Sequence, residues 1–171
     1  MLIDILKDAL LSFFVAIGFA LLFETPKKGL LVAGLLGGLG HAIRFTLLYF
    51  GFGLISATLS GTVVVGLLGI YCAHKIHTPP VVFTLPACIT MIPGLYAYKT
   101  MLGCIRIYEE GTTSAKTAFL LHDTVYNFIL TSSLLFCLAI GICIAALLFR
   151  KKSVKKIKKI KDLGVKIFRS E

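Results

Sequence analysis

Charged residues are scarce in this chain. They make up 15% of its 171 residues, whereas 57% are hydrophobic, and the mean hydropathy is +0.93. About 25% of the residues of a soluble globular domain are charged, so this deficit excludes an ordinary soluble fold. We predict an all-α protein, a polytopic bundle of transmembrane helices embedded in a lipid bilayer.

The sequence also lacks the motifs of several enzyme and motor classes. It contains no G-x-x-x-x-G-K-[ST] phosphate loop and no G-x-S-x-G, H-E-x-x-H or paired-carboxylate pattern. Its five cysteines are odd in number and form no C-x-x-C pair, which argues against a metal site or a disulfide framework. We therefore expect a protein that is not an enzyme, with no catalytic residue, no metal and no cofactor.

Most of the net positive charge lies in one terminal segment. The chain carries +10, and residues 150–171 have ten Lys and Arg against two acids, a surplus of 10 − 2 = 8. A basic segment directly after an apolar helix is typical of a cytoplasmic juxtamembrane region beside anionic lipid. We predict a transmembrane domain over 1–149 and a basic cytoplasmic tail over 150–171, with no nucleic acid as a partner. Hydrophobic residues recur every three or four positions in the tail, which predicts an amphipathic helix on the inner leaflet, with a disordered polybasic tail as the alternative.

The apolar residues divide into five predicted spans, since a helix needs about 20 mainly apolar residues to cross a bilayer. The predicted spans are Ile5–Phe23, Gly29–Phe50, Leu54–Ala73, Val81–Ile105 and Val125–Phe149. The stretch 29–73 is too long for one crossing at about 1.5 Å per residue. We place its break at Tyr49–Gly53, where the glycines suit a turn and the aromatics an interface; without that turn the chain would cross four times. The more polar connector Tyr108–Asp123 is predicted to hold a short interfacial helix at Ala115–His122.

The loop charges predict an orientation. With the basic tail in the cytoplasm, five spans put the N-terminus outside. The loops that carry Lys27-Lys28 and Lys75 then also lie inside, in agreement with the positive-inside rule. We therefore predict a multi-pass protein of the plasma membrane, with its N-terminus outside and its C-terminus in the cytoplasm.

Two polar residues interrupt the second predicted span. His41 and Arg44 lie three positions apart and so share one helix face. An arginine at membrane depth costs about 2.5–3.5 kcal/mol on insertion scales and normally faces the bundle interior or a water-filled cavity. Such a guanidinium can bind a substrate carboxylate in a bidentate manner, and His41 can carry a proton. The alternatives are that Arg44 reaches the outer interface or pairs with a structural carboxylate, and that His41 only packs.

Four glycines come shortly before this pair in the same span. They are Gly34, Gly37, Gly38 and Gly40. Small residues let the backbones of two membrane helices approach closely. We predict that these glycines pack against another helix.

Prolines interrupt the fourth predicted span. Pro86 and Pro93 each remove a backbone N–H and free a carbonyl one turn earlier, and Gly94 follows directly. At membrane depth, freed backbone groups are tolerated only inside protein or beside water, and broken helices form substrate sites in secondary transporters. Pro93, Gly94 and Tyr96 are therefore candidate pathway residues, with a simple proline kink as the alternative. Asn127, near the start of the fifth span, is a further candidate, with a hydrogen bond between helices or back to its own backbone as the alternative.

Three groups of residues give the chain a family resemblance. They are Gly18-Phe19-Ala20 with Phe23 and Pro26; Leu36-Gly37 with Gly40-His41 and Arg44; and Phe83-Thr84-x-Pro86-Ala87 with Met91-x-Pro93-Gly94 and Ala97-Tyr98. Through them the segment Ile5–Phe149 resembles the threonine/serine exporter family. It most closely resembles the small single-domain subunit that is paired with a larger membrane subunit in split bacterial systems.

This resemblance implies a function. Fused members of the family are similar to threonine and serine exporters, and the split form looks like a two-subunit exporter of dicarboxylates such as succinate. The chain would then be one subunit of a bacterial inner-membrane exporter of small carboxylate-bearing metabolites, working with a larger membrane subunit and able to form an oligomer. The alternative is a non-transporting scaffold or lipid-binding component that uses the polybasic tail.

Overall fold

The computed structural model describes residues 2–110 and 115–168, with side chains described for residues 2–109 and 117–144. Its helices are α1 (Leu2–Leu22), α2 (Lys27–Tyr49), α3 (Leu54–Ile76), α4 (Val81–Ile89), α5 (Gly94–Glu110) and α6 (Ala115–Phe168). These described ranges hold no strand, and the predicted all-α class is confirmed.

Most of the helices are long and apolar enough to cross a membrane. Helices α1, α2, α3 and the part of α6 from Thr117 to Ile144 each meet this criterion. Helices α4 and α5 meet it together, although they are bent by 60° at the break between them. The described helices therefore support five crossings when the bent pair counts as one span, and four when it does not.

The predicted turn between the second and third spans is present. Helix α2 ends at Tyr49, and α3 begins at Leu54. Between them Gly51 has a φ of 83°, a left-handed conformation that glycine adopts without strain. The break predicted at Tyr49–Gly53 is confirmed, so the stretch 29–73 forms two helices.

Pro86 does not break its helix, and that part of the prediction is wrong. Helix α4 runs through Pro86 from Val81 to Ile89. The proline removes the N–H that would reach the carbonyl of Val82 in a regular helix. The hydroxyl of Thr25, in the loop between α1 and α2, donates to Val82 O at 3.2 Å instead. Because Thr25 is buried, the freed carbonyl is satisfied inside the protein.

Removing this hydroxyl should destabilise the bundle. We expect Thr25→Val to lower the free energy of unfolding by about 1–3 kcal/mol, because a buried carbonyl then has no donor. Thr25→Ser keeps the hydroxyl and is the matched control, with a smaller loss expected. Unfolding of the purified chain in mixed detergent micelles measures both, and equal stabilities for the two variants would contradict the role of the hydroxyl.

The break in the fourth span lies at residues 90–93. Ile92 N donates to Ile89 O at 3.0 Å, and Gly94 N donates to Ile92 O at 2.8 Å. In a continuous helix the N–H of Gly94 would instead bond to Thr90 O. That carbonyl therefore receives no backbone N–H from the described residues. The predicted break at Pro93-Gly94 is confirmed.

The core forms where α4 meets the first three helices. Buried side chains of α4 and its break, such as Phe83 and Met91, pack with small residues of the neighbouring helices, such as Ala20, Ala33 and Val65. Helix α1 packs on α2, and α3 lies between α2 and α6. Helix α5 packs on α6 alone among the described helices.

Helix α6 is longer than the predicted fifth span. It is continuous from Ala115 to Phe168. The interfacial helix predicted at Ala115–His122 is therefore the first part of the spanning helix, and its prediction as a separate element is wrong. In the tail, the backbone of 150–168 is helical and directly continues α6, while the side chains of the predicted amphipathic face lie outside the described residues.

Candidate functional site

The ring of His41 connects three parts of the bundle. Its Nδ1 atom lies 2.9 Å from Asp8 Oδ2 on α1, and its Nε2 atom lies 3.0 Å from Thr90 O. The Thr90 carbonyl is the one that the break between α4 and α5 leaves without a helical donor. A side chain of α2 thus links α1 to the broken helix.

These two contacts together determine how many protons the His41–Asp8 pair holds. Thr90 O can only accept a hydrogen bond, so Nε2 must carry a hydrogen. The contact between Nδ1 and Oδ2 then needs a second proton, which resides either on the ring or on the carboxyl group. If the pair loses this proton, one of the two hydrogen bonds is lost.

Arg44 lies about one turn beyond His41 on α2. Its Nε atom is buried and has no hydrogen-bond partner among the described residues. Asp8 and Tyr96 are its electrostatic neighbours. In the described part of the chain, however, Arg44 forms no ion pair with Asp8, whose Oδ2 atom is bonded to His41. The guanidinium is thus held in the bundle with unused hydrogen-bonding capacity.

A cavity of about 180 Å³ joins these side chains. It is lined by Asp8, His41 and Arg44, with Phe45 and Leu48 on its apolar side. At ~30 Å³ per water molecule, this space holds about six waters or one small metabolite. The cavity therefore presents one permanent cation and one carboxyl group to a ligand of that size.

The other predicted pathway residues lie at different distances from this cavity. Tyr96 is partly buried at the start of α5, close enough to act electrostatically on Arg44. Pro93 is buried and Gly94 is exposed, with no atom within 4 Å of a Cβ built on Gly94. They shape the break rather than line the cavity.

Asn127 is not brought to the cavity. It lies on α6, in a groove between α5 and α6. Its Nδ2 atom donates to the carbonyl of Asp123 at 2.7 Å, within its own helix. The structure thus separates Asn127 from His41 and Arg44.

The four glycines of α2 lie where other helices come very close. A Cβ built on Gly34, Gly37 or Gly38 would lie 2.8 Å from Ile17 Cγ1, 2.6 Å from Ala16 Cβ and 2.8 Å from Ala9 O respectively, and one on Gly40 would meet Met91 and Val65. The first three contacts are with α1. Because Ala9 directly follows Asp8, this close approach also brings the Asp8 carboxyl group within reach of His41.

A methyl group at Gly38 should therefore disturb the site through the backbone. We expect Gly38→Ala to lower the free energy of unfolding by about 1–3 kcal/mol, because the added Cβ meets a carbonyl oxygen of α1 that cannot rotate away. Gly18→Ala on α1 is the matched control, since a Cβ there meets no atom within 4 Å. Unfolding in mixed micelles measures both, and a Gly38 variant as stable as the control would argue against the close approach of α1 and α2.

Sequence reasoning missed two members of this site, Asp8 and Thr90. Asp8 falls inside the first predicted span, Ile5–Phe23, and was not among the predicted site residues. A signal was present, because an acidic residue in an apolar run raises the same question of burial as Arg44 does. Thr90 takes part through its backbone carbonyl, which accepts the hydrogen bond from His41. No side-chain pattern in the sequence predicts such a contact.

Comparisons with known proteins agree with the resemblance. The family model described as "Threonine/Serine exporter, ThrE" matches residues 8–148. A Haemophilus influenzae protein described only as uncharacterized is 36% identical over 154 residues. That match covers 90% of this chain and 50% of the relative, so the chain spans about half the length of that protein. No solved structure matches the chain.

Proposed function

The chain belongs to the threonine/serine exporter family, a family of transporters, and from this premise we propose that it exports small carboxylate-bearing metabolites through the cavity at Arg44. The observation that carries the proposal is the Arg44 side chain. It lines the cavity, and its Nε atom is buried with no hydrogen-bond partner among the described residues. A carboxylate ligand would supply the acceptors that this guanidinium lacks, in the bidentate geometry that arginine favours.

The depth of the cavity suits a transport site. Asp8 lies about 9 Å along α1 from its first residue, and His41 lies about 12 Å from the last residue of α2, at ~1.5 Å per residue. The hydrocarbon core of a bilayer is about 30 Å thick, so the cavity lies inside it. The adjacent break in the fourth span supports the same use, since broken helices surround the substrate sites of secondary transporters.

Between the two substrate classes, the hydrogen-bonding groups of the cavity favour an amino acid. A zwitterion offers a carboxylate to Arg44 and an ammonium group to Asp8, whose second carboxylate oxygen has no bond to the described residues. In either protonation state of the His41–Asp8 pair, the free Asp8 oxygen can only accept a hydrogen bond, so the second carboxylate of a dicarboxylate such as succinate would find no donor there. We therefore propose threonine or serine as the substrate rather than succinate.

The proposal includes a larger membrane subunit as partner. The chain spans only half of its Haemophilus influenzae relative, so a protein of that length has room for a second unit beside the helices described here. We place the chain in the bacterial cytoplasmic membrane, with the membrane domain over 1–149, the N-terminus outside and the basic tail of 150–171 inside. The basic residues at Lys27-Lys28 and Lys75 support this orientation through the positive-inside rule.

Efflux from preloaded cells tests this function. A strain deleted for the gene is complemented with this chain alone, with a larger family subunit alone, or with both, and is loaded with labelled threonine or labelled succinate. We expect rapid threonine efflux only when both proteins are present, and little effect on succinate. Unchanged threonine efflux in the deletion strain would refute export, whereas selective loss of succinate efflux would refute only the choice of substrate.

A matched truncation separates transport from the scaffold alternative. Removal of 150–171 should leave the Arg44 cavity intact and therefore retain efflux in chains that still reach the membrane. A scaffold or lipid-binding role predicts the reverse, with function lost on truncation and retained in Arg44→Ala.

A further inference from the structure

Helix α5 stands apart from the rest of the bundle. Among the described helices it packs only on α6, and the 60° bend at the break turns it away from α4. Its large side chains are exposed, with 63% of Tyr98 and 65% of Met101 accessible. Together α5 and α6 present a face that no other described helix covers.

A groove of about 410 Å³ runs along this face, and we call it the α5–α6 groove. Its lining carries two cations on α5, Lys99 and Arg106, seven positions apart and therefore on one side of the helix. On α6 it carries one anion, Asp123, and Asn127 lies one turn further along. Both signs of charge thus meet in one groove.

The charges of the groove are poorly matched within the chain. Among the described residues Lys99 and Arg106 form no ion pair, and the ion pair of Asp123 is with exposed His122, at 3.7 Å. Charged side chains of membrane helices face protein or water rather than lipid, because burying them in hydrocarbon is costly. An occupant that supplies both a carboxylate and cations at the same depth would match these charges.

We propose that a second copy of this chain occupies the α5–α6 groove and forms a twofold dimer about an axis along the membrane normal. Such an axis keeps each residue at its own depth in the bilayer, and it makes every contact twice. It therefore sets Asp123 of one copy level with Lys99 and Arg106 of the other. A helix that carried only carboxylates would match the two cations alone, whereas a second copy offers an opposite charge to each sign, with one carboxylate for every two cations.

Apolar side chains around the polar centre complete the interface. Leu95 and Tyr98 line the groove and are exposed in the single chain. Their burial would supply the hydrophobic contact that a stable interface needs. This dimer does not depend on the substrate proposed above, since the groove shares no lining residue with the Arg44 cavity.

Energy transfer between two labelled copies in liposomes measures self-association directly. The full chain carries a donor or an acceptor fluorescent protein at its C-terminus, and the two forms are mixed over a range of protein-to-lipid ratios. We expect energy transfer that fits a dimer and that an excess of unlabelled chain removes. A monomeric chain at all ratios would overturn the proposal, and the groove would then belong to a different protein.

Two charge-reversed chains test the groove itself. One carries Lys99→Asp with Arg106→Asp, and the other carries Asp123→Lys. Each alone should self-associate at least tenfold more weakly than wild type, because like charges then face each other. When they are mixed, association should return, since every contact again joins opposite charges. A pairing within one chain cannot produce this rescue.

The control is Lys28→Asp, a charge reversal at an exposed position of α2 outside the groove, which should dimerise as wild type does. If the mixed chains associate no better than each does alone, or if the reversed chains dimerise normally, the groove is not the interface. The wild-type measurement decides the oligomeric state even if a reversed chain fails to fold.

Discussion

Replacement of Arg44 by alanine is expected to abolish threonine export while leaving the helix bundle folded. Truncating one partner of a buried, hydrogen-bonded charge pair costs about 2–5 kcal/mol of binding, which corresponds to a loss of roughly 30-fold or more. The Arg44 guanidinium forms no ion pair with the described residues, so its removal breaks no structural bridge. Efflux from preloaded cells and unfolding in micelles measure the two effects separately.

Two further variants make this result specific. Arg44→Lys keeps the charge but loses the planar pair of donors, and we expect partial export, because lysine cannot bind a carboxylate in bidentate fashion. Lys28→Ala removes an exposed cation at the start of α2 and should export normally. Wild-type efflux from the Arg44→Ala variant would show that Arg44 does not bind the substrate, and it would refute the proposed site.

Changes at His41 and Asp8 are expected to have the second largest effects. Substitution of His41 should lower stability and export, whereas substitution of Asp8 should change the substrate preference. His41→Leu removes the hydrogen-bond partner of Asp8 and the donor to the Thr90 carbonyl at once, so both the stability of the bundle and export should fall. Each buried acceptor left without a donor costs about 1–3 kcal/mol. His41→Gln retains one donor group and should lose less stability than the leucine variant.

Asp8→Asn keeps a hydrogen-bonding group opposite His41 but removes the negative charge. We expect the bundle to remain folded and the preference for threonine over succinate to fall by at least tenfold, because the site no longer attracts an ammonium group. Competition of the two labelled substrates in the same cells measures the preference. An unchanged preference would show that Asp8 serves only to hold His41, and that the argument for a zwitterionic substrate is wrong.

The positions and ends of most helices were predictable because they depend on local properties of the sequence. Hydropathy and length are properties of each segment, and they located α1, α2 and α3 closely. The turn at Gly51 and the break at Pro93-Gly94 follow from the backbone requirements of glycine and proline. Pro86 follows the same local rule yet stays inside a helix, because Thr25, 57 residues away along the chain, donates to the carbonyl that it frees.

The candidate site was predictable only in part. His41 and Arg44 were identifiable because a basic side chain in an apolar span needs an explanation. The partners of His41 were not, because Asp8 and Thr90 are distant along the chain, and Thr90 contributes only a carbonyl. Asn127 was a candidate because it is also a polar residue in an apolar span, but the structure places it in the α5–α6 groove.

Composition and hydropathy alone were enough to identify a multi-pass helical membrane protein with a broken fourth span, because the transfer of each segment into lipid depends on its own composition. Which polar groups meet depends instead on how the helices pack together. Helices α1 and α2 approach closely at Gly38, which sets Asp8 level with His41, and the break presents Thr90 O to the same ring. Such contacts depend on the relative depth and rotation of packed helices, and no single segment encodes these.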